Sequence, residues 1–268
     1  MKICVLIPTY NDSRTLLQIL KAVLAQESVG SVVVVDDGSD DGTASLLDTL
    51  PLVDPRLKHF RHAKNLGKGA ALRTALAASS GPLVLVQDAD LEYDPADYER
   101  LVARLVADNA SVVYGSRFCP AARRSAGAAW HTLGNRLLTW FANRVTGQRL
   151  TDEATGYKLF RREMLERMNL QEDGFAFCPE VTAKAGRLGL RIVEVPISYH
   201  PRTRAEGKKI RLWHGLEALW CLVKYTWFDR SLEPGARRRR SAVLKEAADV
   251  PDVPASPPPV NPLGCPSY

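Results

Sequence analysis

Short apolar runs alternate along the first 115 residues with longer segments whose apolar positions recur every three or four. Residues 3–7, 32–35, 57–61, 83–87 and 111–114 read as strands; residues 13–25, 43–50, 67–80 and 97–107 read as helices. Within 13–25 the helical spacing runs through Leu16, Leu17, Leu20, Val23 and Leu24. Uninterrupted runs such as Val32–Val35 mark strands covered on both faces, as in a parallel sheet. Strand–helix alternation predicts an α/β, Rossmann-like, doubly wound and mostly parallel sheet. Right-handed crossovers then place the carboxyl ends of its parallel strands at one edge.

The pattern changes after Gly115. A helix is expected over 127–145, a strand over 157–160, a helix over 178–188 and a strand over 191–195. An amphipathic, aromatic helix follows over 210–228. Residues 1–228 read as one unit with a first half, 1–115, and a second, 116–228. Residues 229–268 carry the basic run Arg237–Arg240, then turn rich in Pro, Ser and Ala, and are expected to be a disordered tail.

Composition narrows the class. With 46% apolar residues in 268, the chain can bury a sizeable core, yet no run approaches the ~20 apolar residues of a membrane span. The chain enters an apolar strand at Ile3 and breaks at Pro8, so no signal peptide is expected. Five scattered cysteines without a C-x-x-C pair point to reduced thiols, a cytoplasmic setting and no structural zinc. The net charge of +6 is uneven: residues 191–245 hold 13 Lys/Arg against five Asp/Glu. An anionic partner is expected there, a phosphate-bearing substrate or a membrane surface. Nucleic acid fits the charge but no nucleic-acid motif is present.

The most specific chemistry lies at 83–92. The apolar run Leu83–Val86 gives way to Asp88, Ala89, Asp90 and Glu92. Ligand crevices of open α/β sheets lie beyond the strands' carboxyl ends. Three carboxylates at i, i+2 and i+4 repel one another unless a cation joins them, and an all-oxygen set suits Mg²⁺ or Mn²⁺ with substrate phosphates. A helix start explains Asp94, ahead of Pro95, but Asp88 and Asp90 come too early for that role. Asp88, Asp90 and Glu92 are therefore the expected metal set.

Other strand ends are polar too. Strand two ends in Asp36-Asp37-Gly38-Ser39-Asp40-Asp41-Gly42-Thr43, acids that can hydrogen-bond a base or ribose or can cap the next helix through Asp41. Strand one ends in Pro8-Thr9-Tyr10-Asn11-Asp12, with an aromatic ring for stacking. Asn65-Leu66-Gly67-Lys68-Gly69 precedes a helix whose N–H groups can meet a diphosphate, or is a plain helix start.

Taken in order, Ile7-Pro8-Thr9-Tyr10-Asn11, Val33-Val34-Val35-Asp36-Asp37-Gly38-Ser39, Asn65-Leu66-Gly67-Lys68-Gly69 and Asp88-Ala89-Asp90 resemble the catalytic domain of glycosyltransferase family 2, with its GT-A fold. The resemblance implies a nucleotide-sugar donor bound by Pro8, Tyr10, Asp37, Lys68, Asp88, Ala89 and Asp90. Asp37 and Asp88 would meet the nucleoside, Asp90 the metal on the diphosphate, and the sugar would transfer with inversion. The second half is most similar to dolichyl-phosphate mannose synthase and related polyprenyl-phosphate glycosyltransferases. The matching residues are Gly115-Ser116-Arg117-Phe118, Asp152 with Thr155-Gly156-Tyr157-Lys158-Leu159-Phe160-Arg161, and Glu194-Val195-Pro196-Ile197-Ser198-Tyr199 followed by Arg202 and Gly207-Lys208-Lys209. Many of that group carry Gln where Glu92 stands, and the likeness ends at residue 228 without their transmembrane helices. It implies that Arg117 meets substrate phosphates.

The basic stretch 200–211 reads as a mobile loop that can close over donor and acceptor, against the plainer reading of a solvated charged loop. Arg117, Arg136, Arg202 and Lys208 are the candidate acceptor-phosphate ligands. The 210–228 helix sets Trp213, Trp220 and Trp227 among leucines with Arg211 and Lys224 beside them, which suits a bilayer interface, while packing on the domain is an equal reading. A polyprenyl phosphate acceptor is already anionic and needs no general base. A hydroxyl acceptor needs one, from Asp152 or Glu153. The catalytic set expected is Asp90, Arg117 and Asp152, in a metal-dependent inverting hexosyltransferase peripheral to the cytoplasmic membrane face. A family 2 enzyme acting on a hydroxyl, and a non-catalytic nucleotide-binding membrane-surface protein, are the alternatives.

Overall fold

The computed structural model describes residues 1–49, 54–120, 122–124, 129–201 and 212–232. In the first half β1 (Ile3–Thr9), β2 (Val29–Asp36), β3 (Leu57–Arg61), β4 (Leu83–Val86) and β5 (Val112–Ser116) alternate with α1 (Ser13–Leu24), α2 (Thr43–Thr49), α3 (Lys68–Ala78) and α4 (Tyr98–Ala107). The second half adds β6 (Arg123–Arg124), α5 (Ala129–Thr146), β7 (Lys158–Arg161), α6 (Arg162–Arg167) and α7 (Phe177–Arg187). β8 (Ile192–Pro196), β9 (Ser198–Tyr199) and α8 (Leu212–Val223) follow, and α8 runs into a π-helical turn, Lys224–Phe228.

Seven strands form one sheet in the order β3-β2-β1-β4-β7-β5-β8, and β6 pairs with β9 in a small second sheet. All neighbours in the large sheet are parallel except β7, which lies antiparallel between β4 and β5. Apolar positions carry no strand direction, so the reversal of β7, whose only apolar residues are Leu159 and Phe160, is invisible in the pattern. Side-chain alternation sorts the strands onto two cores. Ile3, Val5, Ile7, Val32 and Val34 pack with Leu16, Ile19, Leu20 and Val23 of α1 and Leu101 and Leu105 of α4. Cys4, Leu6, Val33 and Val35 pack on the other face with Ala71, Leu72 and Ala75 of α3 and Phe177, Val181 and Ala185 of α7. Each fully buried Val or Leu contributes about 1.5–3 kcal/mol, so double coverage explains why β4 and residues 3–7 of β1 are apolar throughout.

Two expectations shift at the ends of elements, and α6 is a helix that the sequence pattern does not signal. The helix expected over 97–107 begins as a 3₁₀ turn, Pro95–Asp97, capped by Asp94 Oδ1, which accepts from Ala96 N at 2.9 Å. α6 has six residues, too few for a period to show. The helix expected over 210–228 is α-helical only to Val223. The basic loop at 202–211, with Arg202 and Lys208, and the tail from 233 lie outside the described residues.

Helices α5, α7 and α8 share a third core that includes Ala142, Ala183, Cys221, Leu222 and Tyr225. Their outer side is apolar as well. Leu133, Leu137 and Trp140 of α5 and Trp213, Leu216, Trp220, Trp227 and Phe228 from α8 and its π turn are all exposed. Among the described residues the cysteines Cys4, Cys119, Cys178 and Cys221 are free thiols.

Candidate active site

Because β1, β2, β4 and β5 run the same way, the polar segments that follow them share one edge. There the loops after β1 and β2 are laced together. Asn11 N donates to Ser39 Oγ at 2.9 Å, and Asp40 N donates to Asn11 Oδ1 at 3.0 Å. Asn11 itself takes a left-handed conformation, φ 55°. Pro8 is buried within β1 and Tyr10 half-buried at its end.

The acids after β2 are largely committed to backbone. Asp36 Oδ1 accepts from Ser39 N at 2.9 Å. Asp37 is almost fully buried; its Oδ1 accepts from Leu66 N at 2.9 Å and meets His62 Nδ1 at 2.7 Å, and its Oδ2 accepts from Gly67 N at 2.7 Å. Asp41 Oδ2 accepts from Ser13 N and its Oδ1 from Thr43 N and Thr43 Oγ1, so one carboxylate joins the starts of α1 and α2. The diphosphate-cradle reading of the 65–69 segment changes with this. Leu66 N and Gly67 N point at Asp37, and Ala70 N donates to Asp173 O at 3.1 Å. Gly67, at φ +102°, and Gly69 are small because the backbone at 172–173 lies where a Cβ would be. The glycines serve chain packing, and Lys68 is the group this loop sends into the site.

Lys68 Nζ meets Asp88 Oδ1 at 2.5 Å. Burial would lower the lysine's pKa, but the Asp88 charge and hydrogen bond, with Cys178 and Asp90, together outweigh it and raise it. Asp90 Oδ1 accepts from Glu92 N at 3.2 Å across a tight turn in which Leu91 is left-handed, φ 62°. Such backbone costs about 1–3 kcal/mol and gathers at functional loops. Glu92 Oε2 accepts from Tyr199 Oη at 3.2 Å. Among the described residues no group of three His, Cys, Asp or Glu side chains is placed to hold a metal ion. A closed cage of Asp88, Asp90 and Glu92 is therefore absent: Asp88 is paired with Lys68 and Glu92 is held by Tyr199. The donor set fits a magnesium-type ion only in its looser mode, one carboxylate such as Asp90 completed by water and substrate phosphates.

The second half contributes a cation. Arg117, just past β5, donates from Nε to Asp152 Oδ2 and from Nη2 to Asp152 Oδ1, both at 2.7 Å, and its backbone N adds a bond to Oδ2 at 3.0 Å. Asp152 is fully buried, and burial would push its carboxyl up, but the Arg117 charge and hydrogen bonds win and hold it low. A carboxylate so held is a poor proton acceptor. Glu153 is also fully buried; burial raises its pKa, and it sits in the core with Thr182 Oγ1 3.2 Å from Oε1. Arg136 is exposed on α5.

Aromatic rings connect the two halves. Tyr93 stacks on Tyr157 at 4.9 Å and tilts against Tyr199 at 5.6 Å, and the Arg117 guanidinium lies over Tyr199 at 5.0 Å. Burial, reinforced by Glu92, pushes the Tyr199 hydroxyl up to about 12, so it remains a donor. Beneath them the buried Gln87 Oε1 accepts from Tyr98 Oη and Tyr157 Oη, both at 2.8 Å, while its Nε2 donates to Asp88 O. Gly156 presses on this layer: its N donates to Tyr93 Oη, and a Cβ there would overlap Asp88 Oδ2. Glu194 holds the turn that carries Asp152, accepting from Thr151 N, Thr151 Oγ1 and Asp152 N. Sequence reasoning passed over Tyr93, Tyr199, Gln87, His62 and Glu194 as site residues. For Gln87 a signal existed, a polar side chain ending an apolar strand.

Residues 4–168 match the family described as Glycosyl transferase family 2. The chain is 28% identical over 252 residues to Glycosyltransferase AglD of Haloferax volcanii, covering 91% of this chain but 40% of that protein. It thus spans less than half the length of that relative. It is 32% identical over 218 residues to polyprenol monophosphomannose synthase of Mycolicibacterium smegmatis, covering 77% of this chain and 82% of that one. In three dimensions it superposes on glucosyl-3-phosphoglycerate synthase of Mycobacterium tuberculosis, solved with Mg²⁺ and uridine diphosphate, with TM-score 0.63 and 21% identity. That superposition covers 86% of this chain and 81% of the other, and it shows a shared fold.

Proposed function

The chain belongs to glycosyl transferase family 2 and has its GT-A fold, and from that premise we propose that it transfers a hexose, with inversion, from a nucleotide-sugar to a polyprenyl phosphate. The observation that carries the acceptor choice is Tyr199. Its ring takes the Arg117 guanidinium and its hydroxyl takes Glu92, so one side chain joins a clamped cation to the acidic loop after β4. A reaction between a sugar diphosphate and an anionic acceptor needs those two features side by side. The phosphate-named relative supports the same reading.

Asp90 would hold a divalent ion together with the donor's phosphates, and such an ion supplies neutralisation of the leaving diphosphate. Lys68, beside Asp88, offers a further positive charge toward that diphosphate. Asp88 lies on the nucleoside side, and Asp37 holds the 66–67 backbone that carries Lys68. Arg117 binds the acceptor phosphate, whose oxygen attacks the anomeric carbon as the bond to the diphosphate oxygen breaks on the opposite face. Asp152 orients Arg117. The hydroxyl-acceptor reading would need a base, and the lowered pKa of Asp152 and the core position of Glu153 argue against both candidates.

Membrane contact belongs to this reading. No helix among the described residues is long and apolar enough to cross a membrane. The exposed leucines and tryptophans of α5 and α8 instead form one two-helix face, with Lys224 nearby. Tryptophans among aliphatic side chains beside basic groups suit the headgroup boundary of an anionic bilayer.

The test incubates the protein with individual labelled nucleotide-sugars, Mg²⁺ or Mn²⁺, and undecaprenyl or dolichyl phosphate. Label entering the organic phase is expected. Label found only on water-soluble acceptors would overturn the acceptor, and no turnover of any nucleotide-sugar would favour a non-catalytic binding protein.

A further inference from the structure

Asn135 lies within α5, where asparagine is a weak helix former and a polar side chain facing inward has to find partners. It finds two. Its Nδ2 donates to Asp152 Oδ1 at 2.8 Å, and its Oδ1 accepts from Ala154 N at 3.2 Å. The same Asp152 oxygen accepts from Arg117 Nη2 at 2.7 Å. With Arg117 Nε and Arg117 N on the other oxygen, the buried carboxylate has four donors, three from Arg117 and one from α5. On the outside of that helix Leu133, Leu137 and Trp140 are exposed.

Arg117 N ties Asp152 Oδ2 to the backbone, but all three of these bonds come from one residue, and at Oδ1 Arg117 offers only its flexible Nη2. The fourth bond, from a different element, fixes the Oδ1 end as well. It sets the plane of the carboxylate and therefore the plane of the guanidinium that stacks on Tyr199. Glu194 fixes the backbone of the same turn from β8. We propose that Asn135 is a positioning residue for acceptor transfer: it fixes Arg117 through Asp152 and ties the seat of α5, one wall of the apolar two-helix face, to the cation that receives the acceptor phosphate. The inference rests on the polyprenyl-phosphate reading of the site. It adds a residue that none of the motifs quoted above contains and gives α5 a part in the chemistry beyond packing.

Full-length protein is compared with Asn135→Ala and Asn135→Asp, using undecaprenyl phosphate in detergent micelles and labelled UDP-glucose and GDP-mannose. Transfer to lipid is expected to fall about 10- to 50-fold in Asn135→Ala, mainly in kcat, because near-attack geometry is sensitive to small displacements. Binding of UDP and GDP by calorimetry is expected to stay within about twofold of wild type, since the donor loops are untouched. In Asn135→Asp the bond to Ala154 N can persist, but an oxygen now faces Asp152. The charged groups around it are Asp152 and Arg117, with Glu194 behind the turn. Transfer should fall further at about pH 8 and recover toward about pH 6, where a shared proton restores a donor between the two carboxyls, while wild type shows no matching recovery.

Variants that transfer within twofold of wild type at every pH would overturn the inference and leave the acceptor reading standing. A loss matched by equal loss of nucleotide binding and of cooperative unfolding would reduce Asn135 to a structural role and overturn it as well. Failure of wild type to label any lipid would instead overturn the acceptor reading beneath it.

Discussion

In the loop after β2, Asp36 accepts from Ser39 N, Asp37 from Leu66 N and Gly67 N, and Asp41 from Ser13 N and Thr43 N. In the loop after β4, Asp88 faces the Lys68 ammonium and Glu92 faces the Tyr199 hydroxyl. Both loops are acidic, both leave the same edge of the sheet, and both fit the family pattern. Their partners differ in balance: the first loop's acids hold mainly backbone, with the Arg61 and His62 side chains beside Asp36 and Asp37. The first loop's acids satisfy N–H groups that would otherwise be orphaned at turns and helix starts. Of the second loop's acids, Asp88 and Glu92 face side chains brought from remote segments, and Asp90 accepts from the neighbouring Glu92 N, on a backbone strained at Leu91. Carboxylates that hold backbone are scaffold first; carboxylates held by distant side chains are where charge can be exchanged for a ligand's.

The widest separation between the loops should come from Asp90→Ala. Turnover of nucleotide-sugar is expected to drop about 10²–10³-fold, the scale of losing one charge-stabilising group, with the urea unfolding midpoint unchanged. A fall in stability instead would make Asp90 scaffold and erase the contrast.

Asp37→Ala should behave the other way. It strands Leu66 N, Gly67 N and the His62 ring beneath an almost closed surface, so stability is expected to fall by about 2–3 kcal/mol in urea titration. Asp37→Asn keeps one acceptor and should lose less. An Asp37→Ala protein of normal stability that no longer binds UDP or GDP would assign this acid to the ligand and break the comparison on its first side.

Much of this was legible beforehand, for identifiable reasons. Uninterrupted apolar runs and period-3.6 patterns marked the five strands and four helices of the first half, because both faces of the sheet are covered and the apolar pattern is strong. Asp88-Ala89-Asp90 stood out because acids are costly at the end of a buried strand. What stayed hidden was pairing across distance. Nothing local says that β7 runs antiparallel, that Lys68 meets Asp88 twenty residues away, or that Asn135 and Glu194 converge on Asp152 from α5 and β8. The three carboxylates at 88–92 looked like one cation cage because spacing was the only information. The fold turns Leu91 left-handed and gives Glu92 to Tyr199. The committed state of Asp37 was equally invisible, since its N–H donors lie about thirty residues downstream.

The smallest expected effect tests the scaffold side most finely. Asp41 sits at the surface, and its carboxylate caps α2 through Thr43 while also holding Ser13 N at the start of α1. Asp41→Ala should cost about 1 kcal/mol, the usual value of a lost cap, trimmed by solvent screening. The cost should depend on pH with a definite sign. Slight burial pushes the carboxyl up, but the hydrogen bonds from Thr43 and Ser13 outweigh it and lower the pKa from 3.8 to about 2. A group whose folded pKa is depressed stabilises the fold above its unfolded value and loses that contribution as pH falls through the folded one. The stability gap between wild type and Asp41→Ala should therefore be constant from about pH 7 to pH 5, narrow below about pH 4, and nearly vanish around pH 2. Urea titrations at several pH values read this directly. A gap that held its size down to about pH 2 would mean that the neutral Asp41 carboxyl holds these helix starts as well as the charged one. No gap at any pH would mean that the Thr43 hydroxyl or the backbone supports them without Asp41. The loop after β2 would then have an acid to spare for a ligand, as the loop after β4 does.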